Sequence, residues 1–256
     1  MKRHRAGLHL AAGLALVVAG AGAVGAAGVH VAVAANFTGA AKAIAEKFEA
    51  ATGDTAVLSF GSTGQLFTQI SQGAPFDVFL AADQARPEKA VEDGLAVADS
   101  RFTYATGKIV LYSTDPSLVT GEATLADGSF EKLAIANPQT APYGAAAVQA
   151  MKGLGVYEDV EPKIVQGTSI AQTYQFVASG SAEVGFVALS QLADVTGGSR
   201  WPVPQKLYDT ISQDAVLLTS AADDPAAKGF ISFLKGPEAR AVIEQYGYGF
   251  IAVCYT

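Results

Sequence analysis

Cysteine and histidine are almost absent from this chain of 256 residues. The one cysteine, Cys254, sits two positions from the end, and of three histidines His4 and His9 lie near the N-terminus. His30 is therefore the only histidine in the body of the chain. These absences exclude an internal disulfide and a structural zinc cluster, and with them most nucleophile–histidine catalysis. Charge is sparse too, at 16% of residues, and mostly of one sign: 17 Lys plus Arg against 24 Asp plus Glu give −7. Lys2, Arg3 and Arg5 precede the first acid, Glu46, so a chain without its N-terminus keeps 14 bases and a net −10. Nucleic acids are held by clustered Lys and Arg, so no nucleic-acid partner is expected.

Long apolar runs are limited to one. Met1 to Arg5 is a basic n-region, Leu8 to Val24 is an apolar stretch of Leu, Val, Ala and Gly, and the small residues that follow offer cleavage after Ala26 or Ala27. This is the pattern of an export signal, which places the mature protein in an extracytoplasmic space such as the periplasm. A retained anchor is the competing reading, because Leu8 to Ala27 approaches the ~20 residues that span a bilayer. The Ala and Gly content and His9 favour cleavage. Cys254 is expected to be a small buried side chain rather than a disulfide partner.

After the signal, short apolar runs alternate with helical patterns. Val29 to Ala34, Thr55 to Phe60 and Phe76 to Ala81 read as strands. They are followed by helices with Ala40, Ile44 and Phe48 on one face, with Leu66 and Ile70 on one face, and with Asp83 as N-cap. The second half repeats the grammar. Strands at Leu133 to Ala136, Lys163 to Val165 and Val184 to Ala188 enclose helices starting at Pro142 and Ile170, and two helices starting at Pro225 and Pro237 close the chain. Such alternation implies mainly parallel sheets flanked by helices. Two runs, with crossings at Tyr104 to Ser113 and Leu207 to Val216, imply two α/β lobes. The division expected is a signal peptide over 1–27, a discontinuous lobe I over 28–107 plus 212–256, and lobe II over 108–211.

The informative residues lie where strands turn into helices: Asn36, Gly61 to Gly64, Ala141 to Gly144, and Gly167 to Ile170. In parallel α/β sheets these turns share the carboxyl edge, where ligands bind. Each offers free N–H groups and the positive end of a helix dipole, a setting that favours an anion. None of the four holds a Lys, Arg, Asp or Glu. Taken singly, Ser, Thr or Asn before a helix is an ordinary cap worth ~1 kcal/mol, and Gly61-x-x-Gly64 lacks the Lys of a P-loop. Four uncharged turns, two from each lobe, point together to an anion-binding cleft. Ser62 has no base at hand for a nucleophilic role. Asp77 reads as a strand-entry residue, and Trp201-Pro202 and Tyr246 to Tyr248 read as loop and terminal packing.

At Asn36, Ser62-Thr63-Gly64, GAPFDVF (73–79), AAD (81–83), AIANPQTAPYG (134–144), IAQTYQFV (170–177) and GFVALSQ (185–191), the chain resembles the periplasmic molybdate-binding proteins of ABC transporters. The resemblance implies a two-lobed type II periplasmic-binding-protein fold with two hinge crossings, closing on molybdate or tungstate. It implies no enzymatic activity and no cofactor, a monomer, and a membrane permease as partner. It also implies ligand contacts from Asn36, from the hydroxyl and amide of Ser62, and from the amides of Tyr143 and Ile170. Asn36 stands where one branch of the family has serine, and Ala188 where that branch has a tyrosine; the chain is similar to the other branch, in which the asparagine side chain contributes. Binders of sulfate, phosphate or an organic carboxylate are the alternatives, with an enzyme or sensor on the same scaffold behind them. An enzyme needs a general base that none of the four turns supplies.

Overall fold

A computed structural model describes residues 28–251. The stretch 1–27 expected to be an export signal, with Ala26 and Ala27, and Cys254 lie outside the described residues. Along the chain, β1 (Gly28–Ala34), β2 (Thr55–Gly61), β3 (Val78–Leu80) and β4 (Phe102–Gly107) come first, then β5 (Ile109–Ser113), β6 (Leu133–Ala136), β7 (Ile164–Gly167), β8 (Val184–Ala188) and β9 (Ser199–Pro202), and finally β10 (Ile211–Leu217). The longer helices are α1 (Thr38–Thr52), α2 (Thr63–Ser71), α3 (Ala85–Glu92), the single-turn α4 (Ala123–Asp127), α5 (Pro142–Gly153), the short α6 (Tyr157–Val160), α7 (Ile170–Ala178), α8 (Pro225–Lys235) and α9 (Pro237–Gln245).

Two five-stranded sheets result, ordered β2-β1-β3-β10-β4 and β7-β6-β8-β5-β9. Each sheet is parallel except for one inner strand. That strand is β10 in the first sheet, antiparallel to β3 and β4, and β5 in the second, antiparallel to β8 and β9. Both belong to the crossings between sheets: only Lys108 separates β4 from β5, and β10 brings the chain back. Long-range pairing rather than local pattern makes β4, β9 and β10 strands. Trp201-Pro202, expected in a loop, lie in β9 because Leu111 and Val110 pair with them.

Helices cover both faces of the first sheet. Val29, Val31 and Val33 of β1 pack with Ile44 and Phe48 of α1 and Phe230 of α8, while Ala32 faces Leu66 and Ile70 of α2 and Phe79 of β3. Burial on both faces explains why β1 is apolar without a break from Val31 to Ala34. The expected face of α1 is buried, with Ile44 and Phe48 fully enclosed and Phe48 set edge-on to Phe230 at 5.3 Å. Enclosing a side chain of that size contributes about 1.5–3 kcal/mol. Gly53 then ends α1 at φ 82°, where its N–H reaches the Glu49 carbonyl at 2.8 Å. In the second sheet, Leu133, Ile135 and Phe186 face α5, and Val110, Ala134 and Val187 face Val177 of α7.

Two local expectations shift. β3 begins at Val78 rather than Phe76, since Asp77 is held before the strand by its carboxylate, which accepts the His30 N–H at 2.7 Å. The helix after β3 begins at Ala85, and Asp83 caps it from one position further out by accepting the Arg86 N–H at 3.0 Å.

Candidate functional site

The four uncharged turns converge. β1 runs into a 3-10 turn at Ala35–Phe37, β2 into α2, β6 through 137–141 into α5, and β7 into α7. Asn36, Ser62, Tyr143 and Ile170 all line one cavity of about 10 Å³, with small residues such as Ala34 and Ala82 between them. All four are buried. A space of that size is about that of one water-sized probe, so the four turns stand close together around it. Broader clefts of about 320 and 270 Å³ open elsewhere along the boundary between the two sheets' helices, the first lined by Asp83, Arg86, Gln149 and Asp209, the second by Thr38, Tyr174 and Tyr246.

Local chemistry explains why N–H groups point inward. In α5, Pro142 has no N–H, and Gly144 and Ala145 both donate to the Ala141 carbonyl, at 2.9 and 3.2 Å. The Tyr143 N–H is the first-turn donor left over. Ile170 is the first residue of α7, after Ser169, whose hydroxyl caps the Gln172 N–H at 3.3 Å. Ser62 caps α2 in a reciprocal box with Gln65, and both bonds are long at 3.4 Å. Bonds at that length are weak, so the Ser62 hydroxyl and N–H are only lightly committed. Thr63 is occupied elsewhere, its hydroxyl accepting the Ala82 N–H at 3.0 Å.

Asn36 is held from behind. Its side-chain nitrogen donates to Gln213 Oε1 at 2.8 Å and to the Tyr248 hydroxyl at 3.0 Å, which matches two hydrogens with two protein acceptors. Its carbonyl receives the hydroxyls of Ser190 at 2.9 Å and Tyr248 at 2.7 Å. The Tyr143 ring extends from its turn so that its hydroxyl accepts from Gln213 Nε2 at 3.2 Å. Burial, the main cause, raises the ionisation of Tyr104, Tyr143 and Tyr248 above the usual phenol range, so all three keep their hydroxyl hydrogens, which Tyr104 and Tyr248 donate to the Ala81 and Asn36 carbonyls. Tyr248, expected to be terminal packing, therefore belongs to the polar shell of the site. Ala188 ends β8 and does not line the cavity.

The expected residues are thus brought together, and the shell behind them was not foreseen. Gln213, Tyr104 and Ser190 carry no local signal beyond one: a Gln-Asp pair inside the otherwise apolar ISQDAVL run of β10. A charged pair stands beside the site. Arg86 pairs with Asp83 and reaches across to the Gln139 carbonyl at 2.8 Å, beside a backbone bond from the Gly64 N–H to the Thr140 carbonyl at 2.9 Å. Among the described residues, no group of three His, Cys, Asp or Glu is placed to hold a metal ion.

Residues 29–249 match the family model described as bacterial extracellular solute-binding protein. The chain is 55% identical to the molybdate-binding protein ModA of Rhodobacter capsulatus, over 93% of this chain and 94% of the relative. It is 56% identical to the molybdate-binding protein ModA of Azotobacter vinelandii, over 91% and 96%. The solved periplasmic molybdate-binding protein of Azotobacter vinelandii superposes with a TM-score of 0.84 at 41% identity, covering 87% of this chain and 99% of that one. A sulfate-binding protein of Mycobacterium tuberculosis superposes at 0.72 with 13% identity, which shows a shared fold alone.

Proposed function

The chain belongs to the bacterial extracellular solute-binding proteins, and on that premise we propose that it captures molybdate between its two lobes and delivers it to the membrane permease of an ABC transporter. The observation that carries this reading is the convergence of four uncharged helix-start turns, two from each sheet, on one small buried cavity. Neutral donors suit a fully ionised oxyanion, whereas a protonated phosphate also needs an acceptor for its proton. The high identity to two molybdate-binding proteins supports molybdate over sulfate. Tungstate has the same charge and tetrahedral shape and is the second ligand of this proposal.

In this reading the ligand contacts are the hydroxyl and N–H of Ser62, the N–H groups of Tyr143 and Ile170, and Asn36. Because the Asn36 side-chain nitrogen already has two protein acceptors, its main-chain N–H is the donor assigned here. Each hydrogen bond to a charged group contributes about 1.5–3 kcal/mol. Fixed donors select by size, since they cannot follow a smaller anion inward. Lobe I comprises 28–107 and 212–256 and lobe II 108–211, the protein acts as an exported monomer after loss of 1–27, and it performs no catalysis.

Calorimetry and thermal unfolding with molybdate, tungstate, sulfate and phosphate test the proposal. At 100 times the dissociation constant the bound anion adds ~2.7 kcal/mol, or about 5–10 °C for a chain of this size. A rise with sulfate or phosphate and none with molybdate or tungstate would sink it.

A further inference from the structure

Gln213 is a fully buried amide in the middle of β10. A buried amide is costly unless its groups are hydrogen-bonded, and here both ends are. Oε1 accepts from Asn36 at 2.8 Å and from the Tyr104 hydroxyl at 3.2 Å, while Nε2 donates to the Tyr143 hydroxyl at 3.2 Å. Asn36 belongs to the turn after β1 and Tyr143 to the turn after β6, so one side chain grips a turn from each sheet. It does not line the cavity itself.

Two backbone features serve this arrangement. Opposite Gln213 and Asp214 the β4 partners are Ala105 and Thr103, so Tyr104 is an extra residue in the ladder, a bulge that brings its hydroxyl onto Gln213. At Gly107, the last residue of β4, a Cβ would lie 2.1 Å from the Tyr143 hydroxyl and 2.7 Å from Gln213 Nε2. The space beside the outgoing crossing is taken by the Tyr143–Gln213 pair.

We propose that Gln213 is a positioning residue for oxyanion binding, fixing the Asn36 and Tyr143 turns relative to each other and so setting the size of anion the cavity accepts. This rests on the oxyanion reading above. Supporting bonds of this kind hold the groups that touch a ligand to within about 0.5 Å. Without them the two turns gain freedom to draw inward, which costs affinity for the larger anion most.

Gln213→Met keeps the length and removes all three bonds. By calorimetry with sodium molybdate and sodium sulfate, the variant is expected to bind molybdate about 10–100-fold more weakly and to show a smaller molybdate-to-sulfate affinity ratio than the wild type. Tyr143→Phe, which keeps the backbone N–H and removes only the hydroxyl link, is expected to lower the same ratio by a smaller factor, and it carries the test if Gln213→Met does not fold. An unchanged ratio, whether affinity is unaltered or falls equally for both anions, overturns the proposal. Wild-type protein that binds neither anion overturns the oxyanion reading instead.

Discussion

The two halves of the site are built differently. The first sheet contributes Ser62, a polar side chain at a helix cap, and Asn36, anchored by Gln213 and Tyr248. The second contributes Tyr143 and Ile170, whose side chains are a ring that reaches Gln213 of β10 and an aliphatic group, so the donors proposed for this half are backbone N–H groups. A side-chain donor is open to any substitution at its position. A backbone donor disappears only when proline replaces the residue or the turn moves, so identity at Ile170 is loosely constrained while its geometry is tightly constrained, and at Tyr143 the side chain matters through its bond to Gln213.

The sharpest break of this contrast is Ile170→Pro. Proline is tolerated at the first helical position, and Ser169 before it already has extended backbone, φ −148° and ψ 167°, as a residue preceding proline requires. The change removes one donor and part of a buried side chain, and molybdate affinity by calorimetry should fall roughly 10–100-fold. Ile170→Val, which keeps the N–H, should bind within a few-fold of wild type; an equal loss in both variants would show that the side chain matters rather than the amide. Next in size, Ser62→Ala should cost roughly 1–3 kcal/mol of binding and about 1 kcal/mol of unfolding free energy through the lost cap, the two separable by denaturant titration with and without ligand.

A smaller effect is expected from Gly64→Ala. A Cβ there would meet the Thr140 Cα at 3.1 Å, a contact between the two halves rather than within one. The variant should keep its stability without ligand and lose about threefold to tenfold in affinity through a disfavoured closed arrangement, visible in small-angle scattering as incomplete compaction on adding molybdate. Undiminished affinity would show that the halves need not approach so closely.

The smallest effect is that of pH. Tyr104, Tyr143 and Tyr248 have ionisations raised above the ordinary phenol value of 10.0, chiefly by burial. The unfolded chain loses these protons first as pH rises, so their stabilisation is complete below about pH 10 and is lost above it. Molybdate affinity should be flat from about pH 6 to 9 and decline with stability beyond about 10. A step near neutrality would reveal a titrating group in the site.

Strand–helix alternation and the four turns are legible because both are written locally: apolar runs, Gly and Pro punctuation, and a Ser or Pro where α2, α5, α7, α8 and α9 start. The crossings were legible as connections but not as strands. β10 carries Gln213 and Asp214 at its centre, both buried, and they are accommodated by distant partners, Asn36 at 177 positions' separation and Arg101 at 113. No window of sequence around β10 contains those partners. Tyr248, 212 positions from Asn36, was misread for the same reason. The residues facing the cavity were readable, while those fixing them in place are assembled only by the fold.

The position of β10 also bears on how the molecule comes to exist. It is the fourth strand of the first sheet, between β3 and β4, yet among the described residues it is the last strand along the chain. The second sheet needs only the contiguous stretch from Ile109 to Pro202, whereas the first stays split, with β4 unattached to β3, until Ile211–Leu217 arrive. Pairing across such separations is slow. During synthesis the second half is thus free to fold first, while the half bearing Ser62 and Asn36 cannot close until nearly the whole chain has emerged.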